Sequence, residues 1–305
     1  MKVLFVGSAN RDGEPNPVVL NQGSSLIRGG MDLRYYGVRG KGLTGYLRNI
    51  ISLRKEIANF KPDIVHAHYV LSGVVSSLAG AKPLVVSLMG SDVLGGRTQR
   101  VVSGIFGRFF WDACIVKTGE MKNLLGLNHV HVVPNGVDFD HFRPLPREEA
   151  LAVAGWDGTR INILFPSDPA RPEKNFRLAE DGVKAMDNER VSLHVLGNVP
   201  RDRVVWYLNA ADAILITSHW EGSPNIVKEA MACNRPVVST MVGDVGELFA
   251  GAEGCYAVRG NADEIASSLY RATAIRETNG RESISGLDSR AIALRLEGIY
   301  SELLA

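Results

Sequence analysis

Two glutamates separated by seven residues, Glu221 and Glu229, bracket the run Gly222-Ser223-Pro224-Asn225. Ser223 suits a helix N-cap and Pro224 a first helical position. The run is therefore expected to open a helix whose free N–H groups hold an anion. Gly222 lets a ligand approach the backbone closely. Glu229 then falls about six residues into that helix, on the order of 9 Å along it. Two carboxylates so spaced around a row of N–H donors can hold hydroxyls at both ends of an anionic ligand. A sugar joined through a diphosphate to a ribose has that layout. Taken singly, Glu221 reads as a loop residue and Glu229 as a solvated helix charge; their combination with the cap carries the functional reading.

A second loop, Phe165-Pro166-Ser167-Asp168-Pro169-Ala170-Arg171-Pro172-Glu173-Lys174-Asn175, contains three prolines. Prolines hold such a loop at low entropic cost, so Arg171 and Lys174 are placed to neutralise the charge growing on a departing diphosphate. The bland alternative is a rigid connector with solvated charges, nearly as good for Arg171 and poorer for Lys174. A third strand-to-loop passage runs Val85-Val86-Ser87-Leu88-Met89-Gly90-Ser91-Asp92. His66 and His68 share one strand face, but no third ligand stands at a characteristic spacing, so no metal is expected. His129, His131 and His194 read as structural, and His219 stands beside Glu221.

The chain resembles the large bacterial glycosyltransferase family 4, retaining enzymes of the GT-B fold, over nearly its whole length. Glu221 and Glu229 match the family's paired glutamates, and Pro134-Asn135-Gly136-Val137-Asp138 matches its inter-domain segment. The resemblance implies that Glu221 contacts the donor sugar and Glu229 the nucleotide ribose. It also implies that the loop holding Gly197 and Asn198 faces the nucleobase. Lys174 fits the family's lysine, but Asp168 stands where an arginine is usual, a task passed here to Arg171. Met89 stands in place of the histidine of a His-Gly-Ser-Asp element. Methionine donates no hydrogen bond, which shifts that task to Asp92, Ser91 or backbone N–H groups. The first loop, with Gly7, Ser8 and Gly13, is expected to close over the donor and acceptor.

These residues need a frame that presents loops at strand ends. Lys2–Val6, Leu33–Val38, Ile64–His68, Leu84–Leu88, Ala113–Lys117 and Val130–Val133 read as buried strands separated by amphipathic stretches, among them one helix over Thr44–Phe60. The pattern restarts with Ile161–Phe165, Val191–Leu196, Ala213–Thr217, Pro236–Thr240 and Gly254–Val258. Two such sets imply an α/β chain of two Rossmann-like domains facing a cleft. The expected division is 1–143 on the acceptor side and 144–288 for the sugar nucleotide. The amphipathic stretch 289–305 is free to pack on either domain. Ligands of such sheets bind beyond the carboxyl ends of strands, which is where the loops above fall.

At 305 residues, 45% apolar and 22% charged, the chain is ordinary for a globular protein. Residues 1–143 hold 17 basic and 10 acidic residues and the remainder 17 and 23. No basic block appears, so nucleic acid is not an expected partner. Three scattered cysteines, Cys114, Cys233 and Cys255, suit a reducing compartment. A cytoplasmic location is expected, with weak contact at the inner membrane face. The aromatic run Ile105–Trp111 reads first as a core-facing helix and second as a shallow membrane contact. The first loop, Gly7–Pro17, lacks Gly-x-Gly-x-x-Gly and the chain has no phosphate-loop motif, against nicotinamide or NTPase chemistry. The reading is thus a hexosyl transfer from a UDP- or GDP-sugar to a hydroxyl on a glycan, lipid-linked or small-molecule acceptor, with no obligatory cofactor. The rivals are a sugar-nucleotide epimerase on the same fold and a catalytically weakened sugar-nucleotide-binding protein.

Overall fold

A computed structural model of the chain describes every residue except Arg11, Asp12, Glu14 and Asn198. The chain divides into two compact units, Met1–Gly136 with Ser289–Ala305, and Val137–Asp288.

The first unit holds six parallel strands: β1 (Lys2–Ser8), β2 (Asp32–Val38), β3 (Ile64–His68), β4 (Leu84–Ser87), β5 (Ala113–Val116) and β6 (Val130–Val132). Their order in the sheet is β2-β1-β3-β4-β5-β6. All of β3 to β5 is buried, as expected of parallel strands covered on both faces. The expected helix over Thr44–Phe60 is two helices, Gly42–Leu47 and Ile50–Phe60. Between them Asn49 takes its amide to the carbonyls of Arg39, Gly45 and Tyr46. A side chain that competes for backbone carbonyls in this way interrupts a helix. The helix Ser289–Leu304 belongs to this unit: Tyr300 Oη lies 2.6 Å from His66 Nδ1, and Arg295 donates to the Val132 carbonyl at 2.7 Å. Its first turn sits so close to Gly136 that a Cβ there would come within 2.8 Å of Ser289 Cα.

The second unit holds β7 (Ile161–Phe165), β8 (Val191–Val195), β9 (Ala213–Ile216), β10 (Val237–Thr240) and β11 (Cys255–Val258), all parallel. Their order is β11-β10-β9-β7-β8. Alternation along the strands fills a core on each face. Ile163, Phe165, Ala213 and Leu215 pack into one; Leu164, Ile214 and Ile216 pack into the other. The division by contact comes after Gly136, ahead of Arg143, because Val137, Phe139 and Phe142 lie in the second unit's core. Arg281 ties that segment down by donating to the carbonyls of Phe139, Phe142 and Ala232.

The stretch Ile105–Trp111 faces the core through Phe106 and Trp111, as first read, but leaves part of its apolar surface exposed. Along Arg97–Phe109, Ser103 and Gly107 are buried, while Val101, Ile105 and Phe109 lie exposed in a row. No described helix is long and apolar enough to cross a membrane.

Candidate active site

In the second unit the strand order reverses between β7 and β9. A doubly wound sheet opens its ligand crevice outside the carboxyl ends of the strands at such a switch point. The two loops that leave it are those of Lys174 and Glu221. They are knitted together by backbone contacts. Thr217 Oγ1 donates to the carbonyls of Lys174 and Asn175, and the His219 N–H donates to Glu173. Thr240 Oγ1, at the end of β10, adds a bond of 2.7 Å to the Ser218 carbonyl.

On this frame Lys174 Nζ donates to Glu221 Oε1 at 2.5 Å, and Ser218 Oγ donates to the same oxygen at 2.8 Å. Both charged side chains keep some exposure, 14% and 19%. Trp220 is exposed next to it. Arg171, expected to share this task, is instead exposed and clamped by Glu173 two residues on. Asp168 is exposed and accepts from the Ala170 N–H in a local turn.

The helix beyond Glu221 starts one residue later than expected. It spans Asn225–Ala232 with Pro224 at the N-cap and no side chain capping it. Proline as N-cap offers no side-chain acceptor of its own to the first turn. Ser223 is not the cap: its hydroxyl donates to Asp244 Oδ2 at 2.6 Å and accepts from Lys228 Nζ. Lys228 is fully buried, with Asp244 3.4 Å away. Burial lowers the Lys228 pKa, and Asp244 pushes it back up. This network draws the Gly222-Ser223 turn against the loop after β10, where Gly243 has φ +55° and a Cβ would lie 2.6 Å from the Gly222 carbonyl oxygen.

Glu229 is buried on the same helix, and Arg201 grips both of its carboxylate oxygens. Arg201 also lies over the Phe142 ring at 5.0 Å. Sequence reasoning missed Arg201, whose only signal is its place at the start of a helical stretch one turn after the Gly197 loop. Gly197 itself follows β8 and is exposed; Asn198 lies outside the described residues.

The first unit's sheet also reverses, between β1 and β3. Gly7, expected in a loop, lies inside β1 and pairs with Gly37. His66 and His68 stack at 4.4 Å, buried. His66 is satisfied by Tyr300 and by Ser87 Oγ at 2.8 Å, whereas His68 Nε2 is buried without a hydrogen-bond partner among the described residues. Burial and the Lys117 ammonium bring the His68 pKa down to about 3. Tyr69, next in the chain, is held at φ +83°, a costly backbone state for a side chain of its size. Asp92 is fully buried and not free to touch a substrate. One oxygen accepts from the Val70 N–H at 3.1 Å, the other from the Met89 N–H at 2.6 Å. It therefore joins the loops after β3 and β4. Burial lifts its pKa to about 6.

The chain contains one Asp-x-Asp, Asp138-Phe139-Asp140, which the expectation of no metal overlooked. Asp138 Oδ1 accepts from the N–H groups of Asp140 and His141, which is turn chemistry. Among the described residues no group of three or more His, Cys, Asp or Glu converges as a metal centre. The three cysteines are free and buried, with thiol pKa values pushed up to about 12 by burial, unsuited to nucleophilic work.

Family models match both units. Residues 9–141 match Glycosyltransferase Family 4, and residues 168–274 match Glycosyl transferases group 1. The chain is a family-4-like glycosyltransferase of the GT-B fold. This transferase is 27% identical over 290 residues to an uncharacterised glycosyltransferase of Methanocaldococcus jannaschii, covering 85% of the present chain and 81% of the relative. Against two further curated relatives it spans 55% and 51% of their length. Sucrose-phosphate synthase of Thermosynechococcus elongatus superposes with a TM-score of 0.81 at 17% identity, covering 99% of this chain and 98% of that one. HepE of Anabaena, solved in complex with UDP and glucose, gives 0.79 at 16% identity over 99% of each chain. These last two likenesses concern the fold of the transferase.

Proposed function

We propose that the transferase moves a hexosyl unit, with retention, from a UDP- or GDP-sugar to an acceptor hydroxyl. The observation that carries this reading is the pairing of cation with carboxylate about one helix start: Lys174 with Glu221 before it, Arg201 with Glu229 within it. The helix N-terminus and Lys174 are suited to a diphosphate, Glu229 to ribose hydroxyls and Glu221 to the sugar. HepE, with UDP and glucose bound on a like fold, supports a nucleotide-sugar donor. In the front-face route the sugar–phosphate bond breaks first, leaving an oxocarbenium-like sugar. The acceptor oxygen adds on the same face, and its proton passes to the departing phosphate oxygen. No side-chain nucleophile takes part.

Calorimetric titration with UDP, GDP and their sugars, followed by NMR of the product's anomeric proton, tests the reading. Binding of one diphosphate and an unchanged anomeric configuration are expected. An inverted product removes the retaining assignment, and failure of every nucleotide to bind removes the donor site.

One observation favours a second reading, a transferase of low turnover. Arg171 is engaged by Glu173 and Asp168 occupies the loop, which leaves Lys174 as the cation facing Glu221. A donor that binds tightly yet is neither hydrolysed nor transferred across an acceptor panel would identify it. The exposed row Val101, Ile105 and Phe109, with Arg97, Arg100 and Arg108 on the same helix, suits an acceptor held at an anionic lipid surface. Phe109→Glu is expected to reduce sedimentation with phosphatidylglycerol vesicles; equal sedimentation of the two proteins would count against membrane contact.

A further inference from the structure

The second unit carries a polar cavity beyond the amino ends of its strands. Its volume is about 230 Å³, and its lining includes Arg147, Arg160, Arg190, Arg235, Arg276 and Asp212. The topology brings these residues together. Arg160 and Arg190 directly precede β7 and β8, Asp212 precedes β9, and Arg235 comes shortly before β10. Arg147 opens the helix Arg147–Ala154, and Arg276 follows the helix Ala262–Thr273. They gather at the amino ends of strands, whereas Lys174 and Glu221 stand beyond the carboxyl ends. The five residues of β7 separate the two places by roughly 17 Å at ~3.3 Å per residue.

Five guanidinium groups around one carboxylate repel one another, and that carboxylate is already in use. Arg147 donates to Asp212 Oδ1 at 2.7 Å, and the Asn162 N–H donates to Oδ2 at 2.7 Å. Arg160 is held by Ser192 Oγ and by the carbonyls of Glu189 and Val191, and Arg190 by the carbonyl of Thr159. Those hydrogen-bond partners are neutral and fix the guanidinium planes; of the two, Arg160 also feels the Asp157 carboxylate. Arg235 is 6% exposed. Its Nε donates to the Cys233 carbonyl at 3.3 Å, and among the described residues no acceptor meets its two Nη groups. Burial pulls its pKa down, and the exposed Glu277 beyond the cavity is among the weaker influences that push it back up. Arg235 lines the cavity, and its Nη groups are not among the buried atoms left without a partner, so they are open to whatever fills it. An oxyanion there would meet these donors with charge as well as hydrogen bonds.

We infer that this arginine-lined cavity is a second binding site, for a small anion bearing one or two phosphate groups, separate from the sugar-nucleotide site. Rigid guanidinium forks match phosphate oxygens in pairs. A cavity of about 230 Å³ has room for a phosphate or diphosphate group. The inference stands whichever donor the other site uses.

Inorganic diphosphate is the probe, titrated into the full chain in chloride buffer while the thermal transition is followed. Wild type, Lys174→Ala, Arg235→Gln and the double variant Arg190→Gln/Arg276→Gln are compared. Ligand binding to the native state raises the transition temperature. The expected result is a rise in wild type and Lys174→Ala alike, with at least a tenfold higher diphosphate concentration needed in the double variant. Arg190 and Arg276 are exposed, so the double variant keeps the test informative even where Arg235→Gln fails to fold. No rise in wild type, or a rise lost in Lys174→Ala and kept in the arginine variants, overturns the inference.

Discussion

At the scale of the residue, the two glutamates differ in what their partners leave available. Glu229 is buried with both oxygens on Arg201, and Glu221, partly exposed, presents one oxygen to Lys174 and Ser218. A carboxylate offers about four lone-pair sites, so the grip of Arg201 still leaves acceptors for a ribose diol while fixing the plane in which they lie. Arg201→Ala is therefore expected to weaken nucleotide binding five- to tenfold, about 1–1.4 kcal/mol. It should also lower the melting temperature, since a buried carboxylate loses its counter-charge. Titration of UDP or GDP into both proteins checks it, and equal affinities would detach Arg201 from the site. Lys174 faces the charge that develops only as the sugar leaves. Its replacement by alanine should cut turnover by roughly 10²–10³-fold, the scale of losing one oxyanion donor, with a much smaller change in nucleotide affinity. A loss confined to KM would place Lys174 in ground-state binding.

At the scale of the element, the donor site depends on how the turn at Gly222-Ser223 meets the loop after β10. Gly243 has a positive φ and no room for a Cβ against the Gly222 carbonyl. Gly243→Ala is expected to cost about 1–3 kcal/mol of stability and, because the turn must move, to weaken donor binding with it. Calorimetry of unfolding and of binding on the same variant would separate the two effects, and a stable variant with unaltered binding would contradict the coupling. The strands were legible from sequence. Buried parallel strands are short apolar runs, and β3 and β7 have the bounds expected of them. The helix start was misplaced by one residue because Ser223 satisfies an equally good partner from a distant loop, Asp244, and local cap preference carries no trace of that contact. The break at Arg48–Asn49 was hidden for a similar reason: the apolar spacing continues across it, while the Asn49 amide bonds that end the first helix include one to Arg39, outside either helix. Arg201 was illegible altogether, since nothing in a lone arginine indicates which of the chain's carboxylates it will meet.

At the scale of the whole molecule, the first unit stores an unusual set of titratable groups in its interior: His66, His68, Lys117, Asp92, Cys114 and Tyr300 are all buried. Burial above all, with the charge of Lys117, lowers both histidine pKa values, that of His68 to about 3, while burial raises Asp92 from 3.8 to about 6. The signs oppose. A histidine kept neutral in the native state stabilises fully above its unfolded pKa near 6.5 and loses that contribution as the pH falls, because only the unfolded chain takes up the proton. A carboxyl with a raised pKa does the reverse: the native state takes up its proton near pH 6, ahead of the unfolded chain, and gains stability down to about pH 3.8. At about 1.4 kcal/mol per proton and pH unit, the two histidines together approach a slope of about 2.7 kcal/mol per pH unit below 6.5. Asp92 cancels roughly one histidine's share between pH 6 and 4. Acidification should therefore destabilise the first unit from about pH 6.5, with a shallower stretch where Asp92 titrates. In Asp92→Asn the native state has no such proton to bind, so the shallow stretch should steepen, starting from a lower stability because the amide cannot accept from both Val70 and Met89. Hydrogen exchange resolved by segment across pH 7 to 5 reads this directly: amides of β3 and β5 should lose protection before those of β9 and β10. Parallel loss in the two units, or identical slopes for wild type and Asp92→Asn, would show that the buried cluster does not govern the acid response.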